Sequence, residues 1–397
     1  IVVTPTEPSP RLNYRGFQLW RTPEGAGRMA DRYYDVIVKR NGRKMIFRTW
    51  RAANDMTTFD RLLSGTSNTN ITFDAKYTDG DFFLCVGPNK LLSGGAPKQR
   101  PFAATLDTFT QYDGWGRTLF FPSSWDKHFT AFQKAGVQGV NAWGPWLPGC
   151  IYPGIWVGKW DDWDVVRHGP APSLAPVRLF SRLAWNPRLD SRSIASEWAS
   201  EYFGKCAADI TEALFLSEEL WKTTYLDDDP HSGLAFKWTM LFLARPDTVR
   251  KYGAAWTLDS IRELNRKGIA LARRVRNLVM NAGVCDADPQ ALAGIQRAAD
   301  LTLLYFETFT RWRELVYLMS RATPVAATDR EAALGVITEI EAILPSWRRY
   351  PREARNWLVL EFDPDLVTAP GWLERTCVVE TLKKCRRELG ITQGAKP

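Results

Sequence analysis

Histidine and cysteine are scarce in this chain, with three and six copies among 397 residues. The cysteines, at 85, 150, 206, 285, 377 and 385, form no CxxC and no Cys/His spacing of the kind that holds zinc. With so few histidines, a histidine-built metal centre is not the expected chemistry, and neither a metal nor another cofactor is expected. Cys377 and Cys385 fall eight apart in a helical stretch, about 12 Å along the axis, too far to pair with each other. The cysteine pattern therefore does not require an oxidising compartment. No apolar run approaches the roughly 18 residues that span a bilayer, so no membrane partner is expected and the chain reads as soluble. No internal repeat or low-complexity tract is present. No signal peptide opens the chain either: Ile1 leads straight into a strand pattern, as if the chain began inside a larger fold. The compartment stays open.

Tryptophan is abundant, with 18 copies spread through both halves. Many must be core. Others are candidate platforms, because a flat ring matches the apolar face of a sugar. Net charge is +8, which makes nucleic acid one class of partner to weigh. The basic residues are interleaved with acids, however. The two short clusters, 273–276 and 383–387, sit within helical patterns and read as solvated faces, so no nucleic-acid partner is expected.

Residues 71–83, Ile-Thr-Phe-Asp-Ala-Lys-Tyr-Thr-Asp-Gly-Asp-Phe-Phe, carry the strongest local signal. Ile71 and Phe73 alternate with Thr72 and Asp74, as a strand does. A turn at Thr78-Asp79-Gly80 then delivers Asp81 beside Phe82 and Phe83. A carboxylate just past a strand end is where α/β barrels keep reacting groups. Two other strand-like runs end in comparable chemistry: the first leads to Glu7, and Lys44-Met-Ile-Phe47 leads to Arg48. Polar groups at three strand ends, in a chain this rich in tryptophan, suggest a site that cleaves sugars.

Read in order, strands are expected at 1–7, 44–50, 71–77, 102–106 and 137–143. Helices are expected at 26–40, 55–63 and 125–135, with 84–100 a Gly/Pro/Lys loop of no clear period. Strands separated by helix-length connectors imply a parallel sheet. Five strands cannot close a barrel that needs eight. A Pro-rich link at 169–176 follows, and then helical patterns at 191–203, 207–224, 232–245, 257–281, 288–322, 329–344 and 373–389. The expected organisation is α/β and then all-α: 1–155 as a partial barrel, 156–397 as a helical domain.

Several segments together resemble the family 67 glycoside hydrolases, the α-glucuronidases of xylan breakdown. Val3-Thr-Pro-Thr-Glu7-Pro-Ser-Pro10 is similar to the strand-end segment that holds the family's general acid. Met45-Ile-Phe-Arg48-Thr-Trp50 is similar to its next strand, which carries a Trp-Arg pair. Lys76-Tyr-Thr-Asp-Gly-Asp81-Phe82 resembles the family's Lys-Asn-Gly-Pro-Ile-Asp-Phe, and Asp81 follows Glu7 by 74 positions, close to the family interval. Phe109-Thr-Gln111-Tyr112-Asp-Gly114 falls where the family has Thr-Gln-Glu-Tyr-Leu-Gly. Leu183-Ala-Trp-Asn-Pro187 and residues 194–198 resemble the opening of its C-terminal helical domain.

The resemblance implies strands 4 to 8 of a (β/α)8 barrel, the first three being absent from this stretch, followed by a helical domain. It also implies an inverting hydrolase that releases an α-linked uronic acid from a plant- or microbe-derived glycan. By the same resemblance Glu7 is the acid, Asp81 a base, and Arg48 and Lys76 bind the sugar carboxylate. Trp50, Tyr112, Trp115, Trp143 and Trp146 become candidate contacts to the sugar. A second polypeptide carrying the first barrel half is an expected partner, and the helical domain a dimerisation module. Two positions depart from the family. Gln111 stands where it has a second basic Glu, and an amide takes no proton from water. Val3 stands where it has a lysine. Both departures favour a second reading, a non-catalytic carbohydrate-binding or subunit protein derived from such an enzyme.

Overall fold

The computed structural model describes residues 1–3, 22–49, 53–78, 88–107, 119–143, 174–224, 256–282, 286–320, 325–349 and 378–391. It separates into two compact units. One comprises Ile1–Thr108, Ser124–Gly144 and Phe180–Asp190, and the other Phe109–Ser123, Pro145–Leu179 and Ser191–Pro397.

The first unit is built on five parallel strands that stand side by side in chain order: β1 (Val2–Val3), β2 (Ile46–Arg48), β3 (Thr72–Lys76), β4 (Phe102–Asp107) and β5 (Gly139–Trp143). Parallel neighbours need a crossover connection. Those connections carry α1 (Pro23–Tyr34), α2 (Met56–Ser64), the short α3 (Lys90–Gly94) and α4 (Ala96–Gln99), and α5 (Trp125–Ala135). A π-helical stretch, Asp35–Arg40, continues α1, and an ion pair of 2.7 Å between Lys39 and Asp35 lies on it.

Local chemistry sets the helix starts. Thr22 accepts from the Gly25 N–H at 3.1 Å, and Pro23 stands at the first helical position, where its missing N–H costs nothing. Asp55 and Thr58 cap α2 reciprocally, through Thr58 N–H to Asp55 Oδ1 at 2.8 Å and Asp55 N–H to Thr58 Oγ1 at 3.2 Å. Residues 84–100 were expected to lack regular structure, yet 90–99 holds α3 and α4. Helices of five and four residues are too short to display a 3.6-residue period. Their signals are local instead: Asn89 Oδ1 accepts from the Leu91 N–H, and Gly95 takes φ 99° between the two.

One face of the sheet is apolar. The register places Phe47, Phe73 and Phe102 in one row across β2, β3 and β4. Phe59 of α2 packs edge-on against Phe73 and Phe102, with centroids 5.4 and 5.7 Å away. All four rings are fully buried, and each contributes about 1.5–3 kcal/mol by leaving water. Just beyond β3, Tyr77 stacks on His128 of α5 at 4.4 Å and meets Phe132 at 5.4 Å. Burial pushes the Tyr77 hydroxyl up to about 12.

α1 and α2 approach almost backbone to backbone. A Cβ on Gly27 would stand 2.1 Å from the Leu62 carbonyl oxygen, and one on Gly65 2.1 Å from that of Glu24. Asp31 of α1 fixes the turn after α2, accepting from the Ser67 N–H at 2.7 Å and the Asn68 side chain at 2.8 Å, and also from the Thr66 hydroxyl.

The second unit is helical: α7 (Ser191–Phe203), α8 (Ala207–Lys222), α9 (Leu258–Asn281), α10 (Pro289–Ser320), α11 (Ala327–Trp347) and α12 (Val378–Glu388). α6 (Leu174–Trp185) precedes them and begins inside the expected Pro-rich link. Pro176 falls in its first turn, where proline is tolerated. α8, α9, α10 and α11 pack in series. Their core is aromatic: Trp221 lies 5.1 Å from Tyr305, which stacks on Phe309 at 5.6 Å with ring planes 8° apart. Trp198, Trp221, Trp312 and Trp347 are fully buried, whereas Trp185 is 91% exposed.

The segment 119–123 belongs to this helical core. The Trp221 indole donates to the Leu119 carbonyl at 2.9 Å, and the Leu119 N–H donates to Thr302 at 2.9 Å. Cys206 is disulfide-bonded, which cysteine spacing alone did not reveal. Disulfides form and persist in oxidising compartments. Cys385 is a buried free thiol, pushed up to about 12 by burial.

The basic clusters are ion-paired. Arg274 meets Glu212 at 3.3 Å, Arg276 meets Asp300 at 2.5 Å, and Arg386 meets Glu341 at 2.7 Å. No described helix is long and apolar enough to cross a membrane.

Candidate active site

The other face of the sheet turns polar toward the carboxyl ends of its strands. Side chains alternate along a strand, so Arg48, Asp74, Lys76, Thr105 and Asn141 share the face opposite the phenylalanine row. Small residues, Ala103 and Gly139, occupy this face beside Asp74. Among the described residues, a Cβ on Gly139 would meet nothing within 4 Å.

Asp74 is the hub. Its carboxylate is completely buried, and its Oδ2 meets Arg48 Nε at 3.0 Å. The Thr105 hydroxyl lies 2.8 Å from Oδ1 and 2.6 Å from Oδ2, and the Asn141 amide donates to Oδ1 at 3.3 Å. One carboxylate on β3 thereby holds side chains from β2, β4 and β5. Its own carbonyl accepts from the Thr49 N–H at 2.8 Å and the Thr49 hydroxyl at 3.2 Å, which anchors the chain directly after Arg48.

Burial pushes the Asp74 carboxyl above the usual range, opposed by the Thr105 hydroxyl, the Arg48 charge and the Asn141 amide. Burial likewise lowers Arg48, opposed by Asp74. Three donors, Arg48 among them, favour the carboxylate form of Asp74 against that burial.

Of the residues singled out in the sequence, the strand register puts Arg48 and Lys76 on the same face of neighbouring strands. Arg48 closes β2 and Lys76 closes β3. Lys76 is half-buried and lies two residues beyond Asp74, about 6.6 Å along the same face. Trp143 is the last residue of β5, paired in register with Asp107, and its side chain lies outside what is described. Glu7, Trp50, Asp81, Gln111, Tyr112, Trp115 and Trp146 lie outside the described residues.

Sequence reasoning missed Asp74, Thr105 and Asn141. Asp74 read only as a polar member of an alternating strand, with no role of its own. The available signal was a coincidence of parity: polar residues fall on the same face of three neighbouring strands. That becomes visible only once the strands are set in register.

Among the described residues, no group of three or more His, Cys, Asp or Glu would hold a metal ion. The side chains on this face include two cations, a buried carboxylate and hydrogen-bond donors, which suits a polar, anionic or hydroxyl-rich ligand.

No family model and no curated protein matches the chain. Among solved structures, it is similar to one described as a GH138 enzyme targeting pectin rhamnogalacturonan II, with 9% sequence identity and a TM-score of 0.43. The match covers 93% of this chain and 51% of that one, so the chain spans about half the length of that structure.

Proposed function

We propose that this chain acts as a glycoside hydrolase, cleaving an α-linked uronic acid from a glycan with inversion at the anomeric carbon. The observation that supports this best is the convergence of Arg48 and Lys76 on one face, at the carboxyl ends of adjacent parallel strands. That end of an α/β sheet is where ligands bind, and two cations there suit a sugar carboxylate. The sequence places Glu7 four residues after β1 ends at Val3, and Asp81 five after β3 ends at Lys76.

On this reading Glu7 donates a proton to the glycosidic oxygen as the bond to the anomeric carbon breaks. Asp81 takes a proton from the water that attacks the opposite face of that carbon. Gln111 orients this water and carries none of its proton. Closing an eight-stranded barrel calls for further strands, for which we propose a second polypeptide. β1 is an outer strand of the described sheet.

The test is incubation with a panel of uronic-acid-bearing oligosaccharides, with Glu7→Gln as control. Release of a free uronic acid, abolished in that variant, is the expected result. A crystal structure with a bound sugar supplies the geometric check: inversion requires the carboxyls of Glu7 and Asp81 about 6.5–9.5 Å apart across the scissile bond. A second reading, a carbohydrate-binding protein without turnover, is favoured by Gln111 and Val3. It predicts sugar binding that Asp81→Asn leaves unchanged.

A further inference from the structure

We propose that Asp74 is a positioning residue for the sugar site, aiming the Arg48 guanidinium at the substrate carboxylate; this rests on the reading that the polar face takes a uronic acid. Four observations carry it. Asp74 and Arg48 are both buried and paired through Nε, which fixes the plane of the guanidinium rather than merely balancing its charge. The carboxylate is itself held from β4 and β5 by Thr105 and Asn141, so it has little freedom to follow Arg48 if the arginine swings. The backbone on either side of the pair is tied by Thr49 to the Asp74 carbonyl. Finally, the pair lies on the face that carries Lys76 and beside the small residues Ala103 and Gly139, and not in the phenylalanine row.

Stability alone does not account for such a pair. A buried ion pair is often no more stabilising than apolar residues of the same volume, and the opposite face of these strands is packed with phenylalanine. What the pair does supply is a guanidinium of fixed orientation. A fixed fork loses less freedom when it grips a carboxylate than a mobile one does.

The test compares binding of free glucuronic acid and of glucose, by calorimetry, to the wild-type chain and to Asp74→Asn, Arg48→Met and the double variant. Wild type is expected to prefer glucuronic acid. Asp74→Asn is expected to lose about 10- to 100-fold of that affinity, as for a lost hydrogen bond to a charged group, with glucose binding unchanged. The double variant should lose no more than Arg48→Met alone, because Asp74 acts only through Arg48.

Thr105→Val, which removes one restraint on Asp74, should lose affinity in the same direction by a smaller factor, and it serves if Asp74→Asn does not fold. Equal loss for both sugars would mark Asp74 as structural and overturn the proposal. So would tighter glucuronic acid binding in Asp74→Asn, which would mean that Asp74 quenches Arg48 instead of aiming it. If the folded wild-type chain shows no preference for glucuronic acid, the reading of the site itself fails and the proposal with it.

Discussion

Each unit buries an arginine, and the two are satisfied in different ways. Arg48 in the sheet unit has a carboxylate partner, Asp74, at 3.0 Å. Arg313 in the helical unit is completely buried, and no carboxylate among the described residues pairs with it. Its Nε donates to Asn265 Oδ1 at 2.8 Å, its Nη2 donates to the same oxygen, and its Nη1 donates to the Thr223 carbonyl at 2.6 Å. The guanidinium also lies 5.1 Å from the centroid of Phe309. Burial pulls Arg313 down to about 9, which leaves it protonated at neutral pH.

The difference is instructive. Arg313 gathers neutral acceptors from α9 and from the end of α8, and Asn265 passes the contact on by donating to the Thr310 carbonyl at 2.8 Å. It cross-links helices. Arg48 belongs to a charged pair on the polar face of the sheet, where, on the proposal above, the arrangement orients it toward a ligand.

The largest expected effect comes from removing the carboxylate partner of Arg48. Asp74→Leu should destabilise the chain by about 3–5 kcal/mol, as for a buried pair that loses one partner. Arg313→Met should cost less, about 1–3 kcal/mol, because the orphaned acceptors are partly offset by relief of a buried charge. Urea denaturation of both variants decides. Equal costs would erase the distinction between the two arginines.

Two glycines sharpen the same contrast between units at a smaller scale. Gly27→Ala forces a methyl against the Leu62 carbonyl and should cost about 1–3 kcal/mol. Gly335→Ala, on an exposed position of α11 where a Cβ meets nothing within 4 Å among the described residues, should stabilise by about 0.5–1 kcal/mol through helix propensity. Thermal melts of the pair would show opposite signs.

The smallest expected effect is a pH dependence specific to the sheet unit. Burial opposes ionisation of Asp31, but hydrogen bonds from Ser67, Thr66 and Asn68 outweigh it and hold the carboxyl at about 2, against an ordinary 3.8. A folded value below the unfolded one contributes stability above pH 3.8, lost as pH falls toward 2. Screened by solvent at this partly exposed site, the contribution is at most about 1 kcal/mol. Asp31→Asn should flatten the stability profile between about pH 5 and pH 2 by that amount, measured as the shift in urea midpoint.

Much of the fold was legible in residue patterns. The expected helix at 125–135 coincides with α5, and the expected strand at 71–77 contains β3. These segments have clear periods, and their ends carry their own signals, such as Gly136 at φ 86° after α5. α3 and α4 were not legible because they are shorter than the pattern that would reveal them. α6 was hidden by a proline that a first helical turn accommodates. Of the candidate site, the placing of Arg48 and Lys76 at strand ends was legible, because each closes an alternating run.

The sequence by itself determined the kind and order of the elements, because alternation, helical period, caps and turn glycines are properties of neighbours along the chain. It also determined that polar groups would gather at strand ends. Only the tertiary structure decided that Asp74 binds Arg48, Thr105 and Asn141, or that Asn265 and Thr223 together hold Arg313. These partners are separated by 26 to 90 residues. What joins them is strand register and helix packing, and both arise from burial, which no single stretch of chain can specify alone.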